Sequence, residues 1–192
     1  MPNWCNNGLR LRHNDAGMIA RAQTALSEGR FFSEFLPVPD ELQNTTAPNR
    51  DALDANALME KYGAKDWYDW SVKNWGTKWD TESFSVEVTE NGHYLETSFD
   101  TAWAPPVEFY KFMESIGFEV EAFYWESGMG FCGMYSNGED DYFEYSDDSI
   151  EDMEDYLPDE LNEYFDLTNT LADWRAQDED YLDSDAHLND LD

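Results

Sequence analysis

Lysine is scarce in this sequence: five among 192 residues, against 43 aspartates and glutamates. Lysine and arginine together number 11, so the formal net charge is −32. A field of that sign repels the phosphate backbone of nucleic acids and anionic membrane surfaces. It argues against direct binding to duplex DNA and predicts basic proteins or cations as partners. Cysteine is scarcer still. Cys5 and Cys132 make no disulfide framework and read as the reduced thiols of a cytosolic protein. No apolar run approaches the roughly 20 residues of a membrane span. The first seven residues, Met-Pro-Asn-Trp-Cys-Asn-Asn, lack a basic stretch followed by an apolar one. These absences predict a protein that stays in the cytoplasm where it is made.

Aromatic residues, in contrast, make up 16% of the chain, with eight tryptophans, and 41% is hydrophobic. Disordered chains are poor in large rings, so most of this chain is expected to fold. Charge divides it in two. Residues 139–192 hold 22 acidic residues and one arginine, Arg175; residues 1–138 hold 21 acidic and 10 basic residues. The expected organisation is an α+β domain over 1–138, an acidic helical segment over 139–176 docked on it, and a flexible acidic tail over 177–192.

Within the first part, Asn7 to His13 alternates apolar and polar residues and predicts a strand. Asn14 or Asp15 caps a helix over about 16–27, ended by Gly29. Pro37 to Leu42 reads as a loop entering a helical turn. Residues 43–66 carry no clear period, and a tryptophan-dense stretch follows. Phe84, Val86 and Val88 then alternate, as do Tyr94, Leu95 and Phe99, with the hairpin signal Asn91-Gly92 between them. Pro105-Pro106 opens a helix that Gly117 stops. Phe118 to Tyr124 alternates as a strand, Phe131–Tyr135 follows Gly128 and Gly130, and a short strand is expected at Tyr142–Tyr145. The order β, α, β, β, α, β is the ferredoxin-like plan. It gives an antiparallel sheet with two helices on one face, here with an insertion after the first helix and an acidic helical C-terminal segment.

In the acidic part, Ile150, Met153, Leu157, Leu161, Tyr164, Phe165, Leu171 and Trp174 recur at spacings of three and four, an amphipathic helical stripe that Pro158 divides. Met153, Leu157, Leu161, Phe165, Ile150 and Trp174 are expected inside. Glu151, Asp152, Asp155, Asp159, Glu163 and Asp166 are expected to face water as a partner-binding surface. As one continuous helix, 139–192 would spread its carboxylates at about one per 3.7 Å, close to the roughly 3.4 Å phosphate spacing along one DNA strand.

Four segments carry a resemblance to a known family: Met1 to Asn7, Phe35-Leu-Pro-Val-Pro-Asp-Glu-Leu42, Asn74-Trp-Gly-Thr-Lys-Trp-Asp80 and Phe99-Asp-Thr-Ala-Trp-Ala-Pro-Pro106. With Tyr124 to Phe131, they resemble the YubB-like family of phage and conjugative-plasmid proteins, over roughly residues 1–136. The resemblance implies a ferredoxin-like domain and a mobile-element origin. It brings no reaction and no catalytic residues, and the acidic part lies outside it.

The tryptophan segment supplies a second candidate site. Trp75, Lys78, Trp79 and Asp80, with Trp103, suit a ligand pocket in which rings and a Lys-Asp pair hold a polar group. Lys61, Lys65, Lys73 and Lys78 also give the stretch local positive charge, as a stacking platform for single-stranded nucleic acid requires. The competing expectation is a loop pinned to the sheet by tryptophan burial, with Gly76 allowing a tight turn. Cys5 and Cys132 with His13 would make a thiol site, against which stands burial as the commoner fate of a cysteine. No motif for a hydrolase, phosphate loop or metal centre occurs, and no catalytic residue, cofactor or metal is predicted. Glu139-Asp140-Asp141 and Asp178-Glu179-Asp180 lack the spacing of a calcium loop.

The leading expectation is therefore a non-enzymatic acidic binding protein of phage or plasmid origin. It would act as a DNA mimic that sequesters a basic, DNA-binding host protein of defence or of the nucleoid. One alternative is a small-ligand or nucleic-acid binding module built on residues 67–80. Another is a salt-adapted protein with a passive acidic tail.

Overall fold

The computed structural model describes residues 3–82, 86–145 and 148–177. Two compact units divide the chain, Met1–Tyr142 and Phe143–Asp192.

In the first unit the chain opens with strand β1 (Trp4–Arg12) and helix α1 (Ala16–Ser27). Asp15 caps α1 through a hydrogen bond from the Gly17 amide, and the chain leaves it through Gly29 at φ 69°. Four helices come next: α2 (Phe31–Phe35), α3 (Asp40–Gln43), α4 (Ala52–Tyr62) and α5 (Trp67–Trp75). Strand β2 (Glu87–Thr89), strand β3 (Tyr94–Ala102), helix α6 (Val107–Ser115), and strands β4 (Glu119–Glu126), β5 (Phe131–Ser136) and β6 (Glu139–Glu144) follow. β6 runs across the boundary between the units. The six strands form one antiparallel sheet in the order β2-β3-β1-β4-β5-β6.

Residues 43–66, which show no period, contain α4. Asp51 caps it by accepting from the Leu53 and Asp54 amides, and Gly63 ends it in the left-handed region. The tryptophan stretch begins as a helix, and the pinned loop expected around Gly76 holds for the residues after it, with Trp75 buried before it. Residues 67–75 are helical, capped by the buried Asp66 and stopped by Gly76 at φ 90°. The loop is confined to residues beyond Gly76. The expected hairpin forms, but its loop runs from Glu90 to His93 rather than through Asn91-Gly92 alone, since Thr89 pairs with Tyr94. Phe84 lies outside the described residues.

One core unites the layers. Leu9, Leu11, Leu95, Phe99, Val120 and Ala122 of the sheet pack with Ile19, Ala22 and Leu26 of α1 and with Phe109, Tyr110 and Met113 of α6. In register, Leu11 lies between Leu95 and Val120, so these side chains share one sheet face and both helices cover it. Phe31, Phe32, Trp70 and Trp75 of the inserted helices join the same core. Each fully buried leucine, isoleucine or phenylalanine among them contributes about 1.5–3 kcal/mol by burial. On the opposite parity, Arg10 bonds both its cross-strand partners, Glu96 and Glu121, at 3.2 Å.

The second unit is helical. Ser149 caps α7 (Ile150–Tyr156) by accepting from the Asp152 amide. Pro158 precedes α8 (Asp159–Phe165), Asp166 turns left-handed at φ 51°, and residues 167–177 are helical again. A continuous acidic rod is thereby ruled out, because Leu157-Pro158 and Asp166 break it into three short helices. Met153, Leu157 and Leu161 are buried as the stripe requires, with Ile150 and Phe165 half-buried. Trp174 departs from that expectation and is 44% exposed.

Candidate functional site

The sequence places two candidate surfaces on the chain, one in each unit. In the second unit all six predicted residues, Glu151, Asp152, Asp155, Asp159, Glu163 and Asp166, are exposed. The helical period explains this: Met153 and Leu157 on one side, and Leu161 after them, turn the intervening acids outward. Asp152 and Asp166 also serve locally. Asp152 accepts from the Ser149 hydroxyl at 2.6 Å, and Asp166 accepts from the Asn169 side-chain amide at 2.7 Å. Arg175 is the one lysine or arginine in residues 143–192, and it donates to the Asp148 carbonyl. Over the seven residues of α7, four carboxylates stand at about one per 2.6 Å of axis; over α8, three stand at about one per 3.5 Å.

The tryptophan residues of the first unit separate into two groups. Trp75 is core: it is buried, and its indole N–H donates to the Leu36 carbonyl at 2.9 Å. Asp80 is structural too. Its carboxylate accepts from the Phe32 and Ser33 amides at 2.8 Å, capping α2 from a distant part of the chain. Neither is placed to hold a ligand, and the expected Lys-Asp pair does not form.

Lys78, Trp79 and Trp103 do come together. The Lys78 ammonium lies 4.2 Å from the Trp79 ring centre and 5.1 Å from that of Trp103. It also lies 5.7 Å from Tyr68 and 6.0 Å from Trp67. The rings of Trp79 and Trp103 stack at 6.4 Å, and Trp4 lies 6.3 Å beyond Trp79. Trp4, Trp79 and Trp103 are 44, 41 and 39% exposed. Local structure explains the grouping. Gly76 turns the chain out of α5, the Thr77 hydroxyl ties it to the Ala102 carbonyl at 3.1 Å, and Lys78 and Trp79 then stand beside Trp103. Trp103 holds φ 68°, a costly conformation for a bulky residue, while its amide donates to the Asn3 carbonyl. Trp67 and Tyr68 fall within the segment 67–80 expected to bind, though outside the five pocket residues named there, and Trp4 lies outside both. For Trp4 the signal is parity: it lies opposite in phase to Leu9 and Leu11 on β1.

The thiol arrangement is not assembled. Cys5 lies near the start of β1 and His13 just past its end, about 26 Å apart along the strand. Both cysteines are buried. Burial pushes the Cys132 thiol up to about 12 and, with the charge of Glu126, raises Cys5 as well. Among the described residues no group of three or more His, Cys, Asp or Glu side chains is placed to hold a metal ion. Nor does any described helix have the length and apolarity to cross a membrane. A shallow cleft of about 200 Å³ opens elsewhere on the first unit, lined by Arg10, Arg12, Tyr94, Glu119, Glu121 and Asn137 among others.

No family model and no curated protein matches this chain. Among solved structures, the chain is similar to the crystal structure of the protein api92 from Yersinia pseudotuberculosis, of the family DUF1281. The likeness covers 76% of this chain and 99% of that one, at 12% identity and a TM-score of 0.41.

Proposed function

We propose that this chain is a non-enzymatic binding protein whose acidic C-terminal unit engages a basic protein. The observation that carries this reading is the face of α7 and α8. Its acids are all exposed, Met153, Leu157 and Leu161 turn inward, and one arginine is the unit's entire complement of strong cations. A field left uncompensated within its own unit attracts a cationic surface and accelerates encounter with it.

The finer reading is a DNA mimic directed at a DNA-binding host protein. What supports it is carboxylate spacing within α8, about one per 3.5 Å, near the phosphate spacing of a DNA strand. The resemblance of residues 1–136 to YubB-like proteins supports a mobile-element origin and action in the host cytoplasm. For the fold we infer the ferredoxin-like class, supported by the order β2-β3-β1-β4 with α1 and α6 on one face.

The test compares two variants of equal net charge. One neutralises Glu151, Asp155, Asp159 and Glu163 to their amides; the other neutralises the exposed Glu60, Glu82, Glu87 and Glu119 of the first unit. Partners are captured from host lysate at low and high salt, identified, and their association rates measured. Selective loss in the first variant, with a shallower salt dependence, supports the reading. Equal loss in both reduces it to bulk charge. Full retention in the first variant overturns it.

A further inference from the structure

The ring cluster around Lys78 belongs to the first unit and plays no part in the function proposed above. Its chemistry is specific. Lys78 is an ammonium in a protein of net charge −32, yet among the described residues no carboxylate pairs with it. Four ring faces surround it instead, at 4.2 to 6.0 Å, within the range at which the ring quadrupole attracts a cation. Three tryptophans of the cluster are about two-fifths exposed. One of them, Trp103, is held there by a strained backbone. Indoles kept at the surface at the cost of strain point to recognition rather than to packing.

The character of the preferred ligand follows from what the rings do not offer. A primary ammonium carries three N–H donors and is strongly hydrated, so it needs acceptors when it leaves water. Lys78 meets no hydrogen-bond acceptor in the cluster and remains only half-buried. A quaternary ammonium has no N–H to satisfy, is weakly hydrated, and is bound by ring faces alone. The negative field of the whole protein concentrates such cations and repels the phosphates of a nucleic acid.

We propose that Trp67, Tyr68, Trp79 and Trp103 form an aromatic cage for a quaternary ammonium solute of the choline class, with Lys78 as its tethered competitor. Binding requires the flexible Lys78 stem to swing out. The side chain therefore lowers the apparent affinity by the fraction of time it occupies the cage.

Tryptophan fluorescence of the full chain, titrated with tetramethylammonium chloride and in parallel with sodium chloride, tests this. The wild type should give a saturable change with tetramethylammonium only. K78A should bind at least about threefold more tightly, and K78R should bind as the wild type does. W79A should lose the saturable response with an unchanged circular dichroism spectrum. W103G, which removes a ring while relieving the positive φ, should lose it as well. Weaker or unchanged binding by K78A overturns the proposal, as does an identical response to both salts. A titration with oligothymidylate separates the other use of exposed rings. If it binds the wild type and K78A weakens it, the cluster is a stacking platform for single strands and the cage is wrong.

Discussion

Tyr124 lies across Gly133, its antiparallel partner on β5: the phenol occupies the space in which a β-carbon at position 133 would stand, and its hydroxyl donates to Asp140 at 2.7 Å. Glycine here is a requirement of the ring and of the Asp141 carbonyl oxygen, which lies 2.5 Å from the same point. G133A should therefore cost about 1–3 kcal/mol through overpacking. In a Y124A background the same substitution should cost less, though not nothing, because the Asp141 carbonyl still crowds position 133. A double-mutant cycle by denaturant unfolding checks this, and additive losses would refute the coupling.

The two groups of tryptophans should differ in what they do to stability. W75A removes a buried ring and the bond to the Leu36 carbonyl, for a loss of about 3–5 kcal/mol. D80A leaves the N-terminus of α2 without its acceptor, at about 1–2 kcal/mol. W79A, at the surface, should shift stability by less than about 1 kcal/mol. Thermal and urea unfolding of the three variants measures the order, and a W79A loss equal to that of W75A would place Trp79 in the core.

Alkaline pH should destabilise the protein through its thiols, together with the phenols of Tyr94, Tyr124 and Tyr135, which burial also raises. The folded state holds the Cys132 proton up to about 12, whereas an unfolded thiol releases it near 9.0. Between these values the folded state binds more protons. Stability is thus full below about pH 9 and falls as pH rises through the folded value. Each thiol contributes a slope of about 1.4 kcal/mol per pH unit within that window. Cys5 acts in the same sense. C132A should flatten the slope by one proton's worth, read from urea unfolding between pH 8 and pH 11. Below pH 9 neither thiol should react with a disulfide reagent unless the chain opens.

Added salt should raise the melting temperature. Like charges crowd α7 and α8, and screening shortens the reach of their repulsion. The variant with Glu151, Asp155, Asp159 and Glu163 neutralised should melt higher at low salt and respond less to its addition. Circular dichroism melts across a chloride series report both, and a salt response equal to that of the wild type would count against self-repulsion there.

The sheet and the helices α1 and α6 were legible because period and punctuation agreed. Leu9 and Leu11 alternate, Asp15 caps, Gly29 and Gly117 stop. The helix α4 carried the same punctuation in Asp51 and Gly63, but Ala55 and Leu58, the residues it buries, are too few to show a period. α5 hid behind its tryptophans, which suit a helix face, a strand or a loop equally well. The acidic surface was readable because carboxylates rarely lie inside a core without partners. The cluster around Lys78 was readable only in part. Sequence brings Lys78 and Trp79 together, whereas Trp4 and Trp103 arrive through the pairing of β1 with β3, whose long-range register no local pattern reports.

The two ends of the sheet are closed to a second copy of the protein by different means. β2 is three residues long and gives an added strand little to pair with. β6 is longer, yet Glu139, Asp140, Asp141 and Glu144 fill four of its six positions. A like strand laid along it would bring eight carboxylates into one ladder, so strand exchange and fibril growth through this edge are disfavoured near neutral pH. The protection lasts only while those groups are ionised. Acidification removes it, and a lysine-rich extended peptide meets no such barrier at any pH.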